Sequence, residues 1–152
     1  MTVLIGISGP GSAGKTSLIK LVDDTLIKFH GFVLDADLWP RSKKEIRHIL
    51  KGRNIRGKTL TVALCSPGDD SKWVKGNLKD VFPYKPDFIV LACRVWDDGY
   101  RCIENKMEEK GNTGIFIRLT QVKPKIAGSS MNPTVLRLRE DRANMIVQQI
   151  LA

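Results

Sequence analysis

The chain has 152 residues, of which 42% are hydrophobic and 27% charged, and its 25 Lys and Arg residues against 16 acids give a formal net charge of +9. This length suits one domain with a buried core, and the composition excludes a disordered tail, a collagen-like repeat and a membrane bundle. No apolar run approaches the ~20 residues of a membrane-spanning helix, and residues 1–7 lack a signal peptide's basic start, so we expect a single cytoplasmic domain over residues 1–152 with no membrane partner.

Apolar runs and amphipathic segments alternate along the chain. Apolar runs predict strands at 2–8, 31–35, 59–65, 87–93 and 114–119. Helical spacing predicts helices at 16–29, 43–51, 71–81 and 97–110, and a last helix that opens at Asn132 and Pro133 after a polar linker at 121–131. Because each crossover between parallel strands places a helix on the sheet, we expect a three-layer α/β/α sandwich with a five-stranded, mainly parallel sheet.

A glycine-rich motif joins the first predicted strand to the first helix. Residues 9–16 read Gly-Pro-Gly-Ser-Ala-Gly-Lys-Thr and match Gly-x-x-x-x-Gly-Lys-Ser/Thr. Such a loop turns its backbone N–H groups toward one anion, and the helix dipole adds to the attraction. At these residues the sequence resembles the P-loop NTPase superfamily.

The resemblance implies that the chain binds a nucleoside triphosphate with Mg²⁺. Lys15 would reach the β- and γ-phosphates, and the Thr16 hydroxyl would bind the metal ion. The nucleotide-binding residues would be Gly9, Pro10, Gly11, Ser12, Ala13, Gly14, Lys15, Thr16 and Ser17. Guanine-specific members carry Asn-Lys-x-Asp after a strand, whereas the similar Asn-Lys-Met-Glu at 105–108 lies inside a predicted helix, so ATP is expected rather than GTP.

A second acid for the metal site is expected at the tip of a strand. Asp35 ends the second predicted strand, and Asp37 follows it. The pair is similar to the Asp-x-Asp of small P-loop kinases such as shikimate kinase, which implies that Asp35 helps to bind Mg²⁺ and that Asp35 or Asp37 orients the hydroxyl of an acceptor. The alternative is that both are turn residues.

Further candidates follow the third and fourth predicted strands. Asp69 or Asp70 would position a water or an acceptor hydroxyl near the γ-phosphate, or would cap the next helix. Arg94 and Arg101 are candidates for neutralising the transferred phosphoryl group; a surface ion pair with an acid at 97 or 98 is the alternative for Arg94.

The predicted site lies at one edge of the sheet, because ligands of open α/β sheets bind beyond the carboxyl ends of the strands. The residues that fall at this edge are Gly9, Asp35, Ser66, Arg94 and Gln121.

Positive charge is concentrated in segment 41–58, which holds eight basic residues and one acid, Glu45. The basic residues are Arg41, Lys43, Lys44, Arg47, Lys51, Arg53, Arg56 and Lys58. Such a cluster indicates an anionic partner, and a solvated helix face is the alternative. Trp39 beside it would stack on a base or pack against the predicted basic helix.

The cysteines and histidines carry no metal or redox signal. Cys65, Cys93 and Cys102 show no Cys-x-x-Cys spacing, and the first two close apolar runs, where a buried small side chain is expected. His30 and His48 are isolated in the sequence and indicate neither a metal ligand nor a base.

Two functions are compatible with these features. The first is an ATP- and Mg²⁺-dependent phosphotransferase acting on a small anionic acceptor, with Lys15, Asp35, Asp37, Asp69 and Arg94 as its catalytic candidates. The second is a P-loop ATPase or nucleotide-dependent switch whose basic segment 41–58 binds nucleic acid or a protein partner.

Overall fold

The computed structural model describes residues 1–11, 13–120 and 133–152. These residues form six strands, four α-helices and a short 3-10 turn. In chain order they are β1 Thr2–Ser8, α1 Lys15–His30, β2 Val33–Asp37, β3 Arg47–Arg53, β4 Thr59–Cys65, α2 Ser71–Val81, the 3-10 turn Phe82–Tyr84, β5 Phe88–Cys93, α3 Asp98–Glu108, β6 Asn112–Arg118 and α4 Pro133–Leu151. The predictions for Ser12, Gln121, Asn132 and the linker 121–131 lie outside the described residues.

The strands form one mixed sheet in the order β2-β3-β4-β5-β1-β6. Strands β4, β5, β1 and β6 run parallel, whereas β3 is antiparallel to both of its neighbours, β2 and β4. The α/β class is confirmed, but the predicted count of five strands is wrong. The extra strand is β3, which lies where a basic helix was expected.

Segment 43–51 is therefore not a helix. The apolar residues Ile46, Ile49 and Leu50 follow helical spacing, yet Ile49 and Leu50 belong to β3. Consecutive residues of a strand point to opposite faces. Ile49 packs into the core on one face of the sheet and Leu50 into the core on the other, and both are fully buried. Two adjacent apolar residues are thus what a strand with both faces buried requires.

Helices cover both faces of the sheet. On one face, α1 and α4 pack together, and their apolar residues share a core with Ile5 and Ile7 of β1. On the other face, α2 and α3 pack together over a core that includes Leu4 and Ile89. The predicted bounds of β1, β4 and α2 are confirmed. Within the described ranges, no helix is long and apolar enough to span a membrane.

Candidate functional site

The loop between β1 and α1 lies at the carboxyl end of β1, beside those of β5 and β6. The Gly9 N–H donates to the carbonyl of Cys93 at the end of β5 (3.2 Å), and the Ala13 N–H donates to the carbonyl of Pro10 (3.1 Å). Gly14 precedes α1 with φ of 86°, a left-handed conformation that glycine adopts without strain. Gly14 therefore makes the turn into α1 in a backbone conformation that other residues rarely adopt.

Lys15 is folded back over this loop. Its side chain is 5% exposed, and its Nζ donates to the carbonyl of Gly9 at 2.7 Å and to Oδ1 of Asp69 at 3.2 Å. A nearly buried ammonium group thus lies at the start of α1, where the helix dipole also favours an anion. The loop and the lysine form one cationic centre.

Thr16 belongs to a second network, which includes a residue that no motif identified. Its hydroxyl donates to the carboxylate of Glu45 at 3.1 Å, and the Ser66 hydroxyl donates to the same carboxylate. Ser66 in turn accepts the N–H of Ile46 at 2.8 Å, which fastens loop 38–46 to the end of β4. The available signal for Glu45 was its position as the one acid among the eight basic residues of segment 41–58.

The two aspartates after β4 have different roles. Asp70 caps α2 by accepting the Lys72 N–H at 2.8 Å. Asp69 instead faces Lys15, and its backbone carbonyl accepts the Nε–H of Arg94 at 2.9 Å. The structure thus assigns the cap to Asp70 and brings Asp69 to the loop.

Two arginines flank the glycine loop. A Cβ built on Gly11 would lie 3.3 Å from Nη2 of Arg94, and one built on Gly14 would lie 3.1 Å from Nη2 of Arg139. The surface pair that was the alternative for Arg94 is not formed; Asp97 instead caps α3 by accepting the Tyr100 N–H. No motif lies near Arg139 in the sequence, so only the tertiary structure shows that it reaches the glycine loop.

Several of these groups line a cavity of about 320 Å³. It is lined by Gly11, Gly14, Lys15, Thr16, Ser17, Ser66, Asp69 and Arg139. Its lining contains hydroxyl, carboxylate and guanidinium groups beside the ammonium of Lys15. The cavity can therefore hold a polyanion together with a small cation.

Asp35 and Asp37 are not brought to this cavity. Both lie within β2, an edge strand four positions from β1 in the sheet, roughly 19 Å away at the usual spacing of strands. The Asp35 carboxylate lies 3.4 Å from Nζ of Lys51, and that of Asp37 lies 3.6 Å from Nε2 of His48. Arg101, exposed on α3, is not among the lining residues either.

Part of the positive charge of segment 41–58 is compensated within the fold. Arg47, Lys51 and Lys58 are paired with carboxylates of other segments, those of Asp80, Asp35 and Asp87. Trp39 stacks on Trp73 of α2, with ring centroids 4.8 Å apart. The alternative in which Trp39 packs against a basic helix is wrong, because β3 lies where that helix was expected.

His48 is not isolated in the folded chain. Its Nδ1 lies 3.0 Å from Oδ1 of Asp23, a buried carboxylate of α1, and its other ring nitrogen faces Asp37. The hydrogen bond to Asp23 is the largest cause that raises the pKa of His48, and burial opposes it. Charge attraction to both carboxylates adds to the rise.

The two cysteines that close apolar runs are buried thiols, as predicted. Cys65 and Cys93 are both fully buried and carry no disulfide. Burial raises the pKa of each to about 12. A thiol with that pKa stays protonated at neutral pH and has little nucleophilic character.

The metal-binding capacity of the site is modest. Among the described residues, no three His, Cys, Asp or Glu side chains are grouped so that they could hold a metal ion. Mg²⁺, however, is usually bound by one or two carboxylates together with substrate phosphates and water. Thr16 and Glu45 fit that pattern and would need the phosphates to complete it.

The segment Asn-Lys-Met-Glu at 105–108 lies within α3, as predicted, and not after a strand, where Asn-Lys-x-Asp would be expected.

Comparison with family models, with curated proteins and with solved structures finds no match for this chain.

Proposed function

We propose that this chain is a Mg²⁺-dependent nucleoside triphosphatase, with ATP as the expected nucleotide. One observation carries the proposal: a nearly buried lysine ammonium lies inside a glycine loop at the start of a helix, and a hydroxyl and a carboxylate lie beside it. Loops of this kind bind phosphate through backbone N–H groups and the helix dipole. A triphosphate is the common biological anion that needs both a cationic cradle and a metal ion.

The residues that would hold the phosphates come from three parts of the fold. Lys15 would exchange its contacts with Gly9 and Asp69 for phosphate oxygens. Arg94 and Arg139, whose guanidinium groups flank the glycine loop, would add positive charge on either side. Charge neutralisation and positioning supply most of the catalysis in phosphoryl transfer.

Thr16 and Glu45 are the residues that would hold Mg²⁺. Their hydroxyl and carboxylate already lie 3.1 Å apart, next to the loop, and Ser66 orients the carboxylate. A bound Mg²⁺ would supply neutralisation of charge on the β- and γ-phosphates. This role replaces the one that the kinase resemblance implied for Asp35.

Water is the phosphoryl acceptor that the site supports best. The carboxylates expected to orient an organic acceptor, Asp35 and Asp37, are engaged with Lys51 and His48 at the far edge of the sheet. Asp69 is the acid beside Lys15, and it would accept a hydrogen bond from a nucleophile near the γ-phosphate.

Phosphotransfer to an organic hydroxyl is the second candidate. The observation in its favour is that the Asp69 side chain is 59% exposed, so a molecule larger than water can reach it. On this alternative, Asp69 would orient the acceptor hydroxyl in place of Asp35 and Asp37.

The substitution Lys15→Ala tests the phosphate site. Removing a charged donor from its hydrogen bonds costs about 1.5–3 kcal/mol, so we expect affinity for Mg·ATP to fall roughly 10- to 150-fold, as measured by titration calorimetry. Lys28→Ala is the matched control, because Lys28 is exposed near the other end of α1. Unchanged binding by Lys15→Ala would contradict the site assignment.

Turnover with γ-labelled ATP separates the two candidate reactions. Label released as inorganic phosphate supports the triphosphatase, and label transferred to a member of a panel of nucleosides, sugars and hydroxy acids supports the phosphotransferase. If no common nucleoside triphosphate produces heat of binding or turnover with Mg²⁺, the proposed function is wrong.

A further inference from the structure

Two tryptophans form a stacked pair on the face of the sheet covered by α2 and α3. Trp39 lies in loop 38–46 and Trp73 in the first turn of α2, and their ring planes differ by 24° at a centroid distance of 4.8 Å. Trp73 remains 42% exposed. The exposed part of its ring is therefore accessible to a ligand.

The position of Trp39 is set by the chain around it. Its N–H donates to Asp37 at 3.0 Å, and its carbonyl accepts the N–H of Ser42 at 3.2 Å, closing a turn that contains Pro40. A turn held in this way presents the indole with little loss of conformational freedom on binding. The tryptophan pair is therefore a preorganised aromatic surface.

Basic side chains are frequent on the two segments that carry this pair, loop 38–46 and α2. Six are exposed and have no ion pair within the part of the chain that the structure describes: Arg41, Lys43, Lys44, Lys72, Lys75 and Lys79. The last three lie on the solvent side of α2, opposite its buried residues.

The acids of the same two segments are already engaged. Glu45 is bound to Thr16 and Ser66, and Asp80 is paired with Arg47. Asp70 caps α2. Glu45 and Asp70 keep their charge, but the six unpaired basic residues outnumber them, so the net charge of this surface is positive.

We propose that the tryptophan pair Trp39–Trp73 and the six exposed basic residues of the same two segments form a docking surface for single-stranded nucleic acid, DNA or RNA. Proteins that bind single strands combine a basic groove for the phosphates with aromatic rings on which bases stack. A duplex keeps its bases stacked inside and offers no base face to the open indole. The combination of exposed aromatic area with unpaired basic groups thus favours a single strand over a duplex, and binding of an acidic protein is an outcome that the test below distinguishes.

The surface is also connected to the phosphate site, although its binding activity does not depend on the proposed function. Loop 38–46 carries both Trp39 and Glu45, the partner of Thr16. Asp69, the partner of Lys15, shortly precedes Trp73 in the chain. Both tryptophan-bearing segments therefore contact the residues that would hold Mg·ATP.

The test is binding of labelled oligothymidylate and oligouridylate of about 15 nucleotides, within the usual site size of such surfaces. Fluorescence anisotropy would report affinity, and quenching of tryptophan emission would report stacking. We expect Trp73→Ala to weaken binding about 5- to 150-fold, the range for loss of one stacked base. Trp96→Ala is the matched control, because Trp96 is 68% exposed but stands next to Asp97 and Asp98.

The charged part of the surface is tested with Lys72→Glu and Lys79→Glu together, against Lys28→Glu on the opposite face of the sheet. The double variant should reduce the slope of log affinity against log salt by about one for each phosphate that no longer meets a lysine. Far-ultraviolet circular dichroism and thermal unfolding would confirm that every variant folds as the parent does.

Several results would overturn the proposal. Binding of heparin as tight as that of the oligonucleotides, without tryptophan quenching and insensitive to Trp73→Ala, would indicate only an anion-binding or acidic-protein surface. Tighter binding of a duplex of the same length would contradict the preference for single strands. Absence of oligonucleotide binding at low salt would exclude the surface altogether, whatever the outcome with ATP.

Discussion

A single carboxylate explains how the hydroxyl of Thr16 is held in the folded chain. Glu45 accepts hydrogen bonds from the side chains of both Thr16 and Ser66, which lie 29 and 21 positions away in the sequence. A basic residue at position 45 would leave these two hydroxyl donors without their acceptor. The two hydroxyl donors, rather than the charge of segment 41–58, therefore explain why an acid occupies position 45.

Glu45→Gln tests this role at the phosphate site. The amide keeps the size of the side chain but loses the negative charge that attracts a divalent cation. We expect the Mg²⁺ concentration needed for half-maximal nucleotide binding to rise about 10- to 100-fold, the range found when groups that orient a metal site are changed. Titration of Mg²⁺ at fixed ATP would measure the shift.

Glu108→Gln provides the comparison, because Glu108 is exposed at the end of α3. The same Mg²⁺ requirement in Glu45→Gln as in Glu108→Gln would mean that Glu45 only fastens loop 38–46 and holds no metal ion.

At the scale of elements, the connection from β4 to α2 determines where Asp69 lies. Ser66 and Asp69 flank Gly68, which packs directly against the end of β5. A Cβ built on Gly68 would lie 2.2 Å from the carbonyl oxygen of Ala92, a backbone atom that cannot move aside alone. Only glycine lets this segment pass so near the neighbouring strand.

Two glycine substitutions are expected to have opposite effects on stability. Gly68→Ala should destabilise the fold by about 3 kcal/mol or more, the upper part of the range for overpacking, because backbone must shift. Gly76→Ala should stabilise it by about 0.5–1 kcal/mol, since Gly76 lies inside α2 with nothing within 4 Å of an added Cβ. Urea denaturation followed by circular dichroism would measure both free energies of unfolding. A neutral Gly68→Ala would show that the segment is not packed as described.

At the scale of the whole molecule, His48 joins three elements. From β3 it reaches Asp23 on α1 and Asp37 on β2, so it ties the antiparallel edge of the sheet to the helix that begins at the glycine loop. Its pKa in the folded chain is raised, mainly by the hydrogen bond to Asp23. The charged imidazole is thus the form that the fold stabilises.

This link predicts a fall in global stability as the pH rises. The folded chain holds its proton on His48 more tightly than the unfolded chain, so the stabilisation is complete below the unfolded pKa of about 6.5 and is lost as the pH passes through the folded pKa. Free energies of unfolding measured from about pH 6 upward should decrease, and His48→Gln should flatten that decrease.

The matched control is His30→Gln, because His30 is exposed at the end of α1. An unchanged pH profile in His48→Gln would show that the imidazole does not hold these three elements together.

Much of the site could be predicted because its first half is local in the chain. The glycine loop, Lys15 and Thr16 are consecutive, so a strand, a turn with a left-handed glycine and a helix are enough to place them. The same holds for Asp70, whose cap contact reaches only two residues forward. Short-range contacts of this kind depend on backbone geometry that the residue types themselves favour.

The positions of the other site residues, Glu45 and Ser66, depended on which strands pair. The apolar spacing of 46–50 suits a helix and a doubly buried strand equally well, and periodicity alone does not separate the two. Once β3 lies between β2 and β4, loop 38–46 ends at Ser66, and Glu45 meets Thr16, while Asp35 and Asp37 are left at the outer edge.

The sequence by itself determined the glycine loop, the class of the fold and the expectation of a phosphate ligand, because these follow from neighbours along the chain. Only the tertiary structure decided which acids and arginines reach that loop and that the tryptophans stack. The physical reason is that such contacts join segments tens of residues apart, and their formation depends on the pairing and packing of the whole sheet.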